Sequence, residues 1–73
     1  LPDRKGRKAI LEVHARNKHF AKNIDMDALA KRTPGFCGAD LENVLNEAAI
    51  LAVREDLSEI GMKQIDEAID RVM

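Results

Sequence analysis

Aromatic residues and cysteine are scarce in this chain of 73 residues, which has two Phe, no Trp or Tyr, and one Cys. Cys37 has no partner for a disulfide within the chain, and a single free thiol is typical of a reducing compartment. Proteins that bind single-stranded nucleic acid stack its bases on aromatic side chains, so this composition argues against such a partner. No apolar run reaches the length of about 18 residues that a membrane-spanning helix needs.

Charge is nearly balanced overall, with a net of −1, but it is unevenly distributed. Residues 1–22 hold seven basic and two acidic residues, a net charge of +5, whereas residues 23–73 hold five basic and eleven acidic residues, a net charge of −6. A basic segment can bind phosphates or nucleic acid. The alternative is a solvated helix face that pairs with an acidic neighbour. We prefer the second interpretation and expect no nucleic-acid partner.

Hydrophobic periodicity predicts an all-α fold of four helices in one small domain. Asp3 and Asp25 are suited to cap the first two helices, and Gly61 precedes the fourth. The predicted helices run from Arg4 to about Arg16, from Met26 to about Arg32, from about Ala39 to Arg54, and from Met62 onward.

Each of the longer helices has a predicted buried face with helical spacing. The first helix is predicted to bury Ala9, Ile10 and Val13, with Leu11 widening the stripe. The buried face of the third helix is predicted to consist of Leu41, Val44, Leu45, Ala48 and Ala52, flanked by Leu51. That of the fourth is predicted to consist of Ile65, Ala68, Ile69 and Val72.

A glycine-bearing loop leads into the third helix, with the sequence TPGFCGADL over residues 33–41. Two glycines within four residues permit a positive φ or a close approach to the backbone. The helix start adds unpaired N–H groups and the positive end of the helix dipole. A nucleotide or another anion can bind such a loop, although most glycine-bearing helix starts are only turns. The residues alone leave both interpretations open.

Known catalytic motifs are missing from the chain, which has neither HExxH nor GxxxxGK[ST]. His14 and His19 are five residues apart, and no Cys or carboxylate completes a metal-ligand spacing with them. We therefore predict no catalytic residue and no metal site. Ile10 and His14 are four residues apart and share one helix face. On that face His14 is either a partly buried core residue or a ligand contact.

The run TPGFCGADLENVLNEAAILA, residues 33–52, closely resembles the second half of the small helical lid subdomain of AAA ATPases. Residues 1–14, LPDRKGRKAILEVH, look like the first helix of that lid. The segments NEAA (46–49) and MKQIDEAIDRV (62–72) are most similar to the FtsH type, the membrane-anchored ATP-dependent zinc metalloproteases. The resemblance covers residues 1–73. We therefore expect a single lid subdomain excised from a longer membrane-anchored ATPase-protease.

This resemblance implies roles for four residues. Gly38 and Ala39 match the sensor-2 position, where the lid backbone approaches the nucleotide held on the large ATPase subdomain. Ile10 and His14 match first-helix positions that border adenine and ribose. In many other AAA+ lids an Arg at sensor 2 reaches the phosphates, and this chain has Ala39 instead. The resemblance thus implies a lid that clasps base and ribose and has no catalytic residue of its own.

The resemblance also implies cofactors and partners. ATP or ADP with Mg²⁺ would be shared with the large AAA subdomain of the same chain, and Zn²⁺ would lie only in the protease domain. Further partners would be neighbouring protomers of a homo-hexamer and the protein substrates, at the cytoplasmic face of the bacterial inner membrane, with membrane contact only through other segments. The alternatives are a lid from another AAA branch, such as a proteasomal unfoldase, and more distantly a helical protein- or nucleic-acid-interaction module.

Overall fold

The computed structural model describes residues 1–73 and consists of four α-helices. In chain order they are α1 (Arg4–Ala15), α2 (Met26–Arg32), α3 (Gly38–Arg54) and α4 (Met62–Val72). α3 packs against both α4 and α1, and α1 also packs against α2. The predicted all-α fold of four helices is confirmed, and α3 begins one residue earlier than predicted.

Two N-caps fix where the first helices begin. Asp3 Oδ1 accepts a hydrogen bond from the N–H of Gly6 at 2.8 Å, and Asp25 Oδ1 accepts one from the N–H of Asp27 at 2.9 Å. Gly61 is the N-cap of α4. All three caps lie at the predicted positions. Asp3 and Asp25 start their helices locally, because a carboxylate accepts from the free N–H groups of a first turn.

Two backbone hydrogen bonds tie the connector between α1 and α2 to the loop between α3 and α4. The N–H of Ile60 donates to the carbonyl of His19 at 2.8 Å, and the N–H of Ala21 donates to the carbonyl of Ile60 at 2.9 Å. Phe20, between them, is half-buried against the core. The long connector therefore lies on the core without a helix of its own.

The core consists of thirteen buried apolar residues, most of them on α3 and α4. α3 contributes Leu41, Val44, Leu45, Ala48, Leu51 and Ala52. α4 contributes Ile65, Ala68 and Ile69. These faces are the predicted ones, except that Val72 is only half-buried. Full burial of a Leu or Ile side chain stabilises a fold by roughly 1.5–3 kcal/mol, so α3 and α4 supply most of the apolar stabilisation.

α1 turns a different face to the core from the predicted one. Val13 is 51% exposed and Ala9 is exposed, whereas Arg7 and Leu11 are buried. Ile10 lies half-buried at the edge of that face. The predicted stripe was therefore wrong by about one residue, which is a rotation of about 100° around the helix axis.

Arg7 accounts for the rotation. Its Nε donates to the carbonyl of Ala30 at 2.9 Å, and its Nη1 donates to the carbonyl of Pro2 at 3.1 Å. A buried guanidinium is tolerated when its N–H groups find acceptors, and the end of α2 supplies a free carbonyl for it. A charged residue thus takes a position that periodicity would give to an apolar one.

Candidate functional site

The loop before α3 places the start of that helix beside α1. Thr33 ends α2, where its buried hydroxyl donates to the carbonyl of Leu29 at 3.0 Å. Gly35 follows with a φ of +82°, a conformation that costs residues with a Cβ more than it costs glycine. Cys37 is the extended N-cap of α3. One helix therefore ends and the next begins within a few residues.

In the first turn of α3, the carboxylate of Asp40 accepts a backbone hydrogen bond. The backbone N–H of Cys37 donates to Asp40 Oδ2 at 3.0 Å. This hydrogen bond, with a further contribution from the Cys37 side chain, lowers the pKa of Asp40 below its ordinary value. A negative charge at this point is also favoured by the helix dipole. The helix start is therefore both capped and acidic.

Ile10 on α1 lies against Gly38, the first residue of α3. A Cβ added to Gly38 would lie 3.8 Å from Ile10 Cδ1, which is an ordinary van der Waals distance. Ala39, the next residue, is exposed. The two helices therefore meet with an apolar side chain from α1 and bare backbone from α3.

One turn further along both helices, His14 lies against Glu42. His14 Nδ1 is 3.6 Å from Glu42 Oε2, and the two side chains are 32% and 49% exposed. Ile10 and His14 are four residues apart, as are Gly38 and Glu42, so the two contacts follow one another along the line where α1 meets α3. We call the surface formed by Ile10, His14, Gly38, Ala39 and Glu42 the α1–α3 junction.

The structure brings Ile10, His14 and Gly38 together in the junction, with Ala39 exposed beside Gly38. It adds Glu42, which sequence reasoning missed. The signal was present, because Glu42 follows Gly38 by four residues just as His14 follows Ile10. Such a spacing places both members of each pair on one helix face. The packing of α1 against α3 brings the two pairs together. This packing is a tertiary contact, which no local sequence pattern predicts.

The junction is a surface rather than a hollow. A hollow of about 220 Å³ lies near Lys18, His19 and Leu57, and an open apolar one of about 390 Å³ lies at Ile50 and Val53. No cluster of His, Cys, Asp and Glu has the composition to hold a metal ion. None of the four helices combines the length and the apolar character needed to cross a membrane.

Residues 23–67, which include α2, α3 and the first half of α4, match the AAA+ lid domain family. The chain belongs to the AAA+ lid domain family. Gly38, Ala39 and Glu42 fall within the matched segment of this lid domain, whereas α1 precedes it.

The whole lid domain, α1 included, is similar to segments of larger proteins. The ATP-dependent zinc metalloprotease FtsH of Thermus thermophilus is 62% identical over 72 residues, which are 99% of this chain and 12% of that protein. The protein of the same name from Thermotoga maritima is 60% identical, with 99% and 12% covered. That from Mycoplasmopsis synoviae is 60% identical over 73 residues, with 100% and 11% covered.

The lid domain therefore spans about 12% of the length of the curated relatives that it matches. The predicted resemblance to the FtsH type is confirmed, because these identities of 60–62% extend over essentially all 73 residues. This is a lid domain of the FtsH type.

Proposed function

We propose that this lid domain closes over the adenine and ribose of ATP or ADP bound to the large ATPase subdomain of a longer protein. The observation that carries the proposal is the α1–α3 junction. It presents an apolar side chain, a bare helix start and an imidazole on one partly exposed surface. A surface without a hollow suits this role, since the large subdomain would supply the other wall of the site.

The chemistry of the junction favours the nucleoside over the phosphates. Ile10 is a packing partner for a flat base, and Gly38 lets a ligand approach the backbone closely. The junction includes no Lys or Arg, and Glu42 is a carboxylate within it. Asp40 adds a second carboxylate to the first turn of α3. Two negative charges at a helix start oppose a phosphate group there.

We propose further that the lid is one part of an ATPase-protease, as the names of its relatives suggest. In that protein Mg²⁺ would accompany ATP on the large subdomain, and Zn²⁺ would lie in the protease domain. The lid would contribute half of a nucleotide site, while nucleotide hydrolysis and peptide hydrolysis would be carried out by the other domains.

In this proposal the lid acts as one packed body. Its continuous core would let it tilt as a unit when ATP becomes ADP, and so transmit hydrolysis to neighbouring protomers of a homo-hexamer. The ring would thread protein substrates toward the protease at the cytoplasmic face of the bacterial inner membrane, anchored through other segments. The similarity to FtsH proteins over the whole chain supports this role.

The test is a pair of glycine substitutions in the complete ATPase. Gly38→Ala adds a methyl group that the fold accommodates at 3.8 Å from Ile10, so we expect unchanged stability. The same methyl group would obstruct a nucleoside packed on the helix start. We therefore expect ADP affinity, measured with a fluorescent analogue, to fall about tenfold, which corresponds to about 1.4 kcal/mol.

Gly35→Ala is the matched control. Gly35 has nothing within 4 Å of an added Cβ, but its φ of +82° strains any other residue. We expect this variant to lose stability and to keep its ADP affinity where it is folded. If Gly38→Ala and the bulkier Gly38→Leu both bind ADP as tightly as the parent, the proposed contact is wrong.

A further inference from the structure

Glu42 is the junction residue that contacts the imidazole of His14. Its Oε2 lies 3.6 Å from Nδ1 of His14, and it is the only carboxylate within 4.0 Å of that ring. The other charged group in contact with His14 is Lys18, on the same helix. Lys18 Nζ donates to the backbone carbonyl of His14 at 3.0 Å. Among the hydrogen bonds and ion pairs of the molecule, the ring of His14 therefore has one charged partner, and it is an acceptor.

This contact favours one of the two places for the hydrogen of a neutral imidazole. A carboxylate only accepts hydrogen bonds, so the nitrogen facing it is the one that carries the N–H. The separation of 3.6 Å is an ion-pair distance, longer than a direct hydrogen bond, and both side chains are partly exposed. With the hydrogen on Nδ1, the opposite nitrogen Nε2 has a free lone pair.

We propose that Glu42 is a positioning residue that holds the hydrogen of His14 on Nδ1 and leaves Nε2 as an acceptor for a donor group of the bound nucleoside. This inference rests on the proposed function. In an adenine nucleotide the available donors are the ribose hydroxyls and the exocyclic amine of the base. Glu42 acts through His14 and does not contact the nucleotide.

The tautomer of His14 is the first readout, because it reports directly whether Glu42 holds the hydrogen on Nδ1. We would record long-range ¹H–¹⁵N spectra of the 73-residue chain at about pH 8, where a free imidazole is neutral. The parent should show His14 mainly with the hydrogen on Nδ1. Glu42→Ala should shift it toward Nε2, the usual form in solution.

The control variant is Asp70→Ala, which removes an exposed carboxylate from α4 that makes no ion pair. It changes the net charge by the same amount as Glu42→Ala and should leave the His14 tautomer as in the parent. Circular dichroism of each variant would confirm an intact helical fold.

The second readout is nucleotide affinity in the complete ATPase. Loss of one well-oriented hydrogen bond should weaken ATP binding by about 2- to 10-fold in both Glu42→Ala and His14→Ala. In the His14→Ala background, Glu42→Ala should have no further effect, since its role passes through the imidazole. Asp70→Ala should bind ATP as the parent does.

Nucleotide analogues identify the donor. If a ribose hydroxyl binds Nε2, 2′- or 3′-deoxy ATP should bind the parent more weakly than ATP does. The His14→Ala variant should bind ATP and that deoxy analogue equally well. If the exocyclic amine binds it, inosine triphosphate, which has a carbonyl at that position, should show this pattern. Either pattern supports the inference, and equal discrimination by parent and variant against every analogue contradicts it.

The outcomes also separate this inference from the proposed function. If His14→Ala weakens ATP binding while Glu42→Ala changes neither tautomer nor affinity, the lid contacts the nucleotide but Glu42 does not position His14. If His14→Ala leaves ATP affinity unchanged, the nucleotide role of His14 fails and the inference fails with it, whereas the Gly38 test of the lid still stands.

Discussion

The two halves of this lid domain are held together by different kinds of contact. The half formed by α1 and α2, residues 1–33, buries five residues, of which Arg7 and Thr33 are polar. The half formed by α3 and α4, residues 37–73, buries eleven, of which only Gln64 is polar. Both halves contribute to one apolar core, but only in the first half do buried polar side chains, those of Arg7 and Thr33, add hydrogen bonds to backbone carbonyls.

This difference indicates which half contributes more to stability and on what the α1–α3 junction depends. Apolar burial is the larger and less directional contribution, so the α3–α4 half should dominate the free energy of unfolding. The α1–α3 junction lies where the two halves meet, and its geometry depends on how α1 is seated. That seating depends on a few directional hydrogen bonds such as those of Arg7.

Removal of a central α3 side chain should have the largest effect. Leu45 is fully buried, and Leu45→Ala should lower the free energy of unfolding by about 2–5 kcal/mol, because it loses apolar burial and leaves a cavity. Val53 on the same helix is 77% exposed, and Val53→Ala should change stability by less than about 0.5 kcal/mol. Urea unfolding measures both, and similar losses would contradict the assignment of the core.

Replacement of Arg7 should have the next largest effect. Arg7→Met keeps most of the apolar length but removes the donor to the carbonyl of Pro2 and leaves the carbonyl of Ala30 with only the longer bond of 3.4 Å from the Thr33 hydroxyl, which should cost about 1–3 kcal/mol. Arg4→Met is the matched control, since Arg4 makes only an exposed ion pair with Asp27 at 3.6 Å, worth about 0–1 kcal/mol. Equal unfolding midpoints for the two variants would refute the polar attachment of α1.

The same contrast explains how much of the fold the sequence predicts. α3 and α4 bury the faces that their spacing predicts, because an apolar stripe is a local pattern that directly reports its own burial. The face of α1 was predicted wrongly because Arg7 is buried, where its guanidinium donates to the carbonyls of Pro2 and Ala30. Acceptors supplied by distant backbone leave no trace in the periodicity of the helix itself.

The site divides in the same way. The spacing of four residues correctly places Ile10 and His14 on one face, and the Gly-Ala-Asp segment marks the start of α3. Whether these two elements face each other depends on the course of residues 16–37, which includes a connector and a turn. The contact of Glu42 with His14 therefore becomes visible only once α1 and α3 are packed together.

Gly35→Ala should have an intermediate effect, and it tests the turn that joins the two halves. A left-handed backbone conformation costs a residue with a Cβ about 1–2 kcal/mol, and no contact made by the new methyl group offsets this cost. Thermal unfolding would measure the loss. An unchanged or raised melting temperature would show that this turn does not need the conformation seen at Gly35.

The smallest effect we predict concerns Asp40, at the border between the two halves, and appears at acid pH. The N–H of Cys37 lowers the pKa of Asp40 in the folded chain, so the ionised carboxylate stabilises the fold. This stabilisation is complete above the ordinary aspartate pKa of about 3.9 and is lost as the pH falls through the lower folded value.

Asp40→Asn keeps an oxygen acceptor but removes the charge. The stability difference between parent and variant, from urea unfolding, should be constant at neutral pH and should shrink below about pH 4. A difference that stays constant throughout this range would show that the start of α3 is held by its shape alone, without the charge of Asp40.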